Sequence, residues 1–231
     1  MGLAVPATFA PLFPPTTAPC ALTTLYLADC QSGESDEYRE LVPELLRHGA
    51  ATLQALHYSS TFTWRSSDPP RYLVTLDGDY GLHSFPALRI LSLSLAHLRP
   101  TLFATAPNLE YLTLTLCDSP TASDWLMDYR RAMTILEEGF APSTSIAVDG
   151  TAAPDAAPVF PRLRLFEMVV PKNLPPGYTG DAWSIAQMQR RDDLLALLRA
   201  RGVETWLVVH DAVETKHRWI ERVREVLGEK V

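Results

Sequence analysis

The sequence predicts an α/β protein, an irregular leucine-rich-repeat solenoid with a parallel sheet on its concave side and helices on its outer face. Three observations predict it. A nine-residue pattern of leucines recurs along the chain, a proline precedes several copies at one fixed position, and amphipathic stretches that end at glycine separate the copies. Recurring units of this kind are typical of solenoids, in which each repeat packs on its neighbours.

The clearest copies of the leucine pattern follow the spacing L-x-x-L-x-L-x-x-[N/C]. Residues 22–30 (LTTLYLADC) and 109–117 (LEYLTLTLC) match at every position, and residues 88–96 (LRILSLSLA) differ only at the last. The second and third leucines are two residues apart, so both point to the same side of a strand. These segments therefore predict three parallel strands whose leucines enter a common core.

Three weaker copies begin at Leu53, Leu163 and Val203 and keep bulky apolar residues at the first three motif positions. In the last copy these positions are taken by Val203, Trp206 and Val208. The intervals between successive copies vary from 21 to 54 residues, whereas a regular repeat has about 20–29. We therefore expect a degenerate array that is interrupted by insertions.

A proline stands two residues before the first leucine of three copies, at Pro86, Pro107 and Pro161. Proline ends a preceding helix and keeps the chain extended. Its recurrence in one register supports the division of the chain into repeats.

Helical periodicity fills most of the intervals between the copies. The segments are 35–48, 123–138, 181–201 and 214–227, and Gly49, Gly139 and Gly202 follow the first three, as is common where a helix ends. The last segment is amphipathic. Because the final repeat is apolar on both faces, we expect this segment to be a C-terminal capping helix over it.

The domain organisation follows from these assignments. Residues 1–19 form an irregular N-terminal arm, and residues 20–231 form the leucine-rich-repeat-like domain. Two insertions interrupt it, at about 59–83 and 141–158. The first is an inserted hairpin or a seventh, broken repeat, and the second is a surface loop with few large apolar side chains.

Composition narrows the range of partners. The net charge of -7 and the lack of basic runs argue against nucleic-acid binding. No apolar stretch reaches the ~20 residues of a membrane helix. The start of the chain lacks the pattern of a secretory signal, and three cysteines do not suggest a disulfide framework. We expect a cytoplasmic or nuclear protein.

No motif for catalysis stands out, so we expect no enzyme activity, no cofactor and no metal. Cys30 and Cys117 suit buried thiols at repeat turns. The six histidines form neither H-x-x-x-H nor HExxH, and C-x-x-C, P-loop and G-x-S-x-G patterns are missing from the sequence.

The residues between the motif leucines are predicted to face the open, concave side of the sheet, where repeat proteins bind their partners. This strip is small and hydroxylic, with aromatic groups that suit binding hot spots. The alternative is a set of scattered surface aromatics without a partner. The predicted partner-binding residues are Tyr26, His57, Ser92, Ser94, Tyr111, Thr113, Thr115 and Glu167.

The phrases FPALRILSLS, APNLEYLTL and FPRLRLFEM resemble the repeat regions of fungal F-box/leucine-rich-repeat-like proteins over residues 20 to 211. The resemblance implies a protein-protein interaction module whose repeats bind the substrate of a ubiquitin ligase. In that family an N-terminal F-box recruits the adaptor subunit of the ligase. No F-box is visible here, so this subunit is an expected partner only if an F-box exists outside the chain.

Two other functions are compatible with the sequence. One is an enzyme with an unrecognised site in the insertions around 141–158 and 172–182. The other is a structural protein without a specific partner.

Overall fold

A computed structural model describes residues 22–27, 46, 49–58, 85–95, 98, 100, 106–115, 122–140, 160–171, 185–210 and 212–228. The predicted arm 1–19, both insertions, and Cys30 and Cys117 lie outside these residues. Within them the elements are β1 (Thr24–Leu27), β2 (Ala55–Tyr58), β3 (Ile90–Ser94), β4 (Tyr111–Thr115), α1 (Ala122–Phe140), β5 (Leu165–Pro171), α2 (Ile185–Ala200), β6 (Glu204–His210) and α3 (Ala212–Leu227).

The six strands form one parallel sheet in the order β1-β2-β3-β4-β5-β6, so each strand lies beside the next one in sequence. The α/β class and the parallel sheet are therefore confirmed. The register aligns the second apolar position of five predicted repeats in one row. This row consists of Leu25, Leu56, Leu91, Leu112 and Phe166.

The same backbone arrangement leads the chain into three of the strands. The amide of Leu88 donates to the carbonyl of Phe85 at 3.1 Å, and equivalent bonds join Leu109 to Ala106 and Leu163 to Phe160. The recurrent proline is therefore the second residue of a hydrogen-bonded turn, where its fixed φ is favourable. The sequence pattern predicts this proline only as the end of a preceding helix and does not predict its position in a turn.

The main hydrophobic core lies on one side of the sheet. Buried leucines of the strands, such as Leu91 and Leu114, pack there against buried side chains of α1 and α2, such as Leu136 and Leu198. Helices α1 and α2 thus lie on the same side of the sheet, with the main core between them and the strands. No helix among the described residues is long and apolar enough to cross a membrane.

The register of β6 differs from the sequence prediction by one residue. Phe166 of the core row pairs with Thr205, while Glu167 pairs with Trp206. Trp206 and Val208 therefore face away from the main core, and their assignment to core positions was wrong. The chain enters β6 differently from β3, β4 and β5, because it leaves α2 through Gly202 at φ 80° rather than through a proline turn.

Helix α3 is also placed differently from the prediction. It does not cap the end of the array but lies on the sheet side opposite α1 and α2, where its Trp219 and Val223 pack with Ala55 and Ile90 in a second apolar cluster. The sheet is therefore covered on both faces, which is usual for parallel sheets because their strands are apolar on both sides.

We expect Leu91→Ala to lower the free energy of unfolding by about 2–5 kcal/mol, because Leu91 is fully buried in the aligned row and its loss leaves a cavity. Urea unfolding followed by circular dichroism measures the change. Leu207→Ala is the control: this side chain is 42% exposed, so its truncation costs less than about 1 kcal/mol. Equal losses in the two variants would contradict the assigned core.

Candidate partner-binding face

The sheet side that faces α3 is called the inner face here. Its centre is a row of one side chain from each strand, aligned by the register and consisting of Tyr26, His57, Ser92, Thr113, Glu167 and Trp206. Five of these six residues belong to the predicted partner-binding set. The period-two pattern of the motif therefore placed these five residues on a common side of β1 to β5.

Helix α3 covers the part of the inner face formed by β1 to β4. Trp219 lies 5.1 Å from the ring of Tyr26 and 6.1 Å from that of His57, measured between centroids. Val223 is fully buried in the same apolar cluster, against which Tyr111 packs. A buried aromatic group and an aliphatic group one helical turn later thus hold α3 against the sheet.

The inner face is consequently not the open surface that the sequence predicted. His57, Ser92, Ser94 and Glu167 are at most 6% exposed, because α3 and neighbouring strands enclose them. The other four predicted residues, Tyr26, Tyr111, Thr113 and Thr115, are half-buried. The structure brings the eight residues onto one side of the sheet but leaves only part of that side accessible.

His57 connects the aromatic and polar parts of the central row. Its ring stacks on Tyr26 with centroids 4.3 Å apart, and its Nδ1 lies 2.9 Å from the Ser92 hydroxyl. Burial lowers the pKa of His57 from 6.5 to about 4, so the imidazole is neutral at neutral pH. A neutral imidazole beside a hydroxyl can activate a nucleophile, and both of these side chains are at most 3% exposed.

Glu167 is the buried acidic group of the central row. Its Oε2 accepts a 3.3 Å hydrogen bond from the Thr113 hydroxyl, and its Oε1 lies 3.4 Å from the guanidinium of Arg218 on α3. A carboxylate in such a place requires a compensating cation, because burial of an unpaired charge is costly. Arg218 therefore links α3 to the polar half of the face.

Cation–π contacts extend this link to β4 and β6. The guanidinium of Arg218 lies 4.8 Å from the ring centroid of Trp206, and that of Arg222 lies 5.1 Å from Tyr111 and 5.9 Å from Trp206. The indole N–H of Trp206 donates to Glu204 at 2.7 Å, which fixes the ring. The two arginines are one helical turn apart, so both reach the same side of α3.

A group of charged side chains on the strand side contacts the carboxyl-terminal end of α3. Arg89 and Glu110 form two hydrogen bonds, the shorter at 2.7 Å, and Arg164 lies 3.8 Å from the same carboxylate. The hydrogen bond from Arg89, followed by its charge, lowers the pKa of Glu110 against the opposing effect of burial. Arg89 also donates to the carbonyl of Val226 at 3.2 Å, at the carboxyl end of α3, where a cation is favourable.

A cleft of about 550 Å³ remains between α3 and strands β3 to β6. Ser92, Thr113 and Glu167 of the predicted set line it, together with Trp206, Arg218 and Arg222. Sequence reasoning missed the last three. The amphipathic pattern of 214–227 was their signal, but such a pattern does not say which surface a helix covers.

Among the residues that the structure describes, three buried polar atoms of the inner face have no hydrogen-bond partner: the indole nitrogen of Trp219, the hydroxyl of Thr115 and Oε1 of Glu167. A buried polar group without a partner costs roughly 1–3 kcal/mol. The apolar side chains between α3 and the sheet are therefore well packed, whereas some of the buried polar atoms there lack hydrogen bonds.

The described part of the chain contains no group of three or more His, Cys, Asp or Glu side chains that could hold a metal ion. Comparison with known proteins adds no relative, since no protein-family model, curated protein or solved structure matches the chain.

We expect the fold to lose stability as the pH falls from 6.5 to 4, because the unfolded chain protonates His57 in this window while the folded chain keeps it neutral. One pKa unit corresponds to about 1.4 kcal/mol, so by about pH 4.5 the protonation of this group in the unfolded chain lowers the free energy of unfolding by about 2–3 kcal/mol. Urea unfolding at several pH values measures the loss, with His57→Asn as the comparison, because Asn does not titrate.

The difference between wild type and His57→Asn should grow in favour of the variant as the pH falls, since the carboxylates contribute equally to both. His217→Asn serves as a control, because His217 is exposed. It should follow the wild-type curve. A His57→Asn curve parallel to wild type would mean that His57 is not buried beneath α3.

Proposed function

We propose that the chain is an irregular leucine-rich-repeat solenoid that acts as a protein-protein interaction module rather than as an enzyme. The main support is the sequential parallel sheet whose register aligns the motif positions of five repeats. Stacked repeats produce this order, because each unit contacts only its neighbours and builds one continuous surface.

The proposed binding surface is the accessible part of the inner face, the cleft between α3 and β3 to β6. Trp206 and the two arginines Arg218 and Arg222 lie there around the buried carboxylate of Glu167. Tryptophan and arginine are the residue types most enriched at protein-binding hot spots, since they combine apolar area with directed polar contacts. Trp206 is the proposed anchor.

The proposed biological role is substrate recognition within a ubiquitin-ligase adaptor of the cytoplasm or nucleus. It rests on the resemblance of the repeat phrases and extends to the ligase adaptor subunit only if an F-box lies outside this chain. The His57–Ser92 pair gives an enzymatic role little support, because both side chains are at most 3% exposed.

We expect Trp206→Ala to remove most of the partner protein that co-precipitates with the purified chain, because it deletes the aromatic wall of the cleft. Leu207→Ala is a matched control, since Leu207 is the next residue of β6 and belongs to the row of Met168 on the other side of the sheet. Quantitative mass spectrometry of both pull-downs measures the effect. Retention of every partner by Trp206→Ala, or equal losses in the two variants, would contradict the proposed surface.

A further inference from the structure

The part of the inner face that α3 covers has the form of a groove for a helix. Its walls are aromatic at Tyr26 and Tyr111, its floor is apolar at Ala55 and Ile90, and Glu167 supplies a negative charge at one side. Grooves of this composition bind amphipathic helices, whose apolar residues at intervals of three and four enter the groove while their polar residues contact its rim.

Helix α3 fits this groove as a bound helix does. Trp219 and Val223 enter it one helical turn apart, and the residues immediately before them, Arg218 and Arg222, contact the acidic and aromatic groups at its side. The groove therefore selects a defined pattern: an aromatic residue, an aliphatic residue four positions later, and an arginine before each.

The contacts of α3 are separate from the main core. The core between the sheet and helices α1 and α2 contains no residue of α3 among those that the structure describes, and α3 belongs to a small second cluster. Within the described part of the chain, the buried indole nitrogen of Trp219 has no hydrogen-bond partner, so the polar fit is imperfect. Departure of α3 would thus leave the main core in place and remove an incompletely satisfied interface.

We propose that the inner face is a docking groove for an amphipathic helix of a partner protein, and that α3 occupies it until the partner takes its place. This inference rests on the proposed interaction function and goes beyond the proposed cleft, because the partner helix takes the place of Arg218 and Arg222 together with the rest of α3. Only Asp211 separates β6 from α3 in sequence, so the tether gives α3 a high effective concentration at the groove. A partner helix therefore competes with an intramolecular occupant, and its apparent affinity equals its intrinsic affinity multiplied by the fraction of molecules in which the groove is open.

The test uses α3 itself as the probe. A fluorescent peptide with the sequence of residues 211–228 is titrated with three full-length proteins, wild type, Trp219→Ala and His217→Ala, and the anisotropy is measured. Trp219→Ala weakens the intramolecular helix without changing the groove, so we expect it to bind the peptide at least tenfold more tightly than wild type. His217→Ala, on the exposed side of α3, should bind like wild type.

A second pair of measurements locates the binding. Tyr26→Ala added to Trp219→Ala should weaken peptide binding at least tenfold, because it removes a wall of the groove. A peptide that carries Trp219→Ala should not bind. If Trp219→Ala fails to fold, Arg218→Ala takes its place, since it removes the ion pair to Glu167 and keeps the apolar contacts, and a threefold tighter binding is then expected.

Equal binding of the peptide to the loosened protein and to wild type would overturn the groove proposal, as would binding that is unaffected by Tyr26→Ala. This result is distinguishable from a failure of the interaction function. The peptide titration needs no native partner, whereas the Trp206→Ala pull-down depends on one and probes the cleft beside α3.

Discussion

The packing of Trp219 on the Tyr26–His57 stack is the contact on which the rest of the inner face depends. Parallel sheets usually bury both of their sides. Helices α1 and α2 bury one side with a large core, but the opposite side carries Tyr26, Ala55 and Ile90, which also require cover. Trp219 supplies the largest apolar group of α3, so its position sets the depth at which α3 lies and the reach of the arginines beside it.

The inner face has two halves that differ in the chemical character of their side chains. The half at β1 to β3 is aromatic and apolar, and its imidazole, His57, is neutral because burial disfavours its charge. The half at β4 to β6 is ionic, with Glu167 held by Arg218 and with Trp206 beneath both arginines. Helix α3 crosses the boundary between the two halves. Its Trp219 packs on the aromatic half, and its Arg218 and Arg222 contact the ionic half. A ligand that contacts both halves would need the same division.

Much of this arrangement could be predicted from the sequence. The parts that could not be predicted have physical reasons. Leucine spacing predicted the row from Leu25 to Phe166 because period-two alternation and stacking fix a strand's side and register together. It failed at β6, which the chain enters through Gly202 rather than through a proline turn and where Trp206 lies on the inner face. It also failed for α3, because amphipathicity shows that one side of a helix is buried without showing against what.

The contact between Trp219 and Tyr26 is central to the covered inner face, and nuclear magnetic resonance measures it directly. In two-dimensional nuclear Overhauser spectra of the wild-type protein at neutral pH, we predict cross-peaks between the indole protons of Trp219 and the ring protons of Tyr26, whose centroids are 5.1 Å apart. Substitution of either residue assigns the peaks. Spectra without these peaks, together with an indole N–H of Trp219 that exchanges at the rate of an exposed group, would contradict the covered inner face.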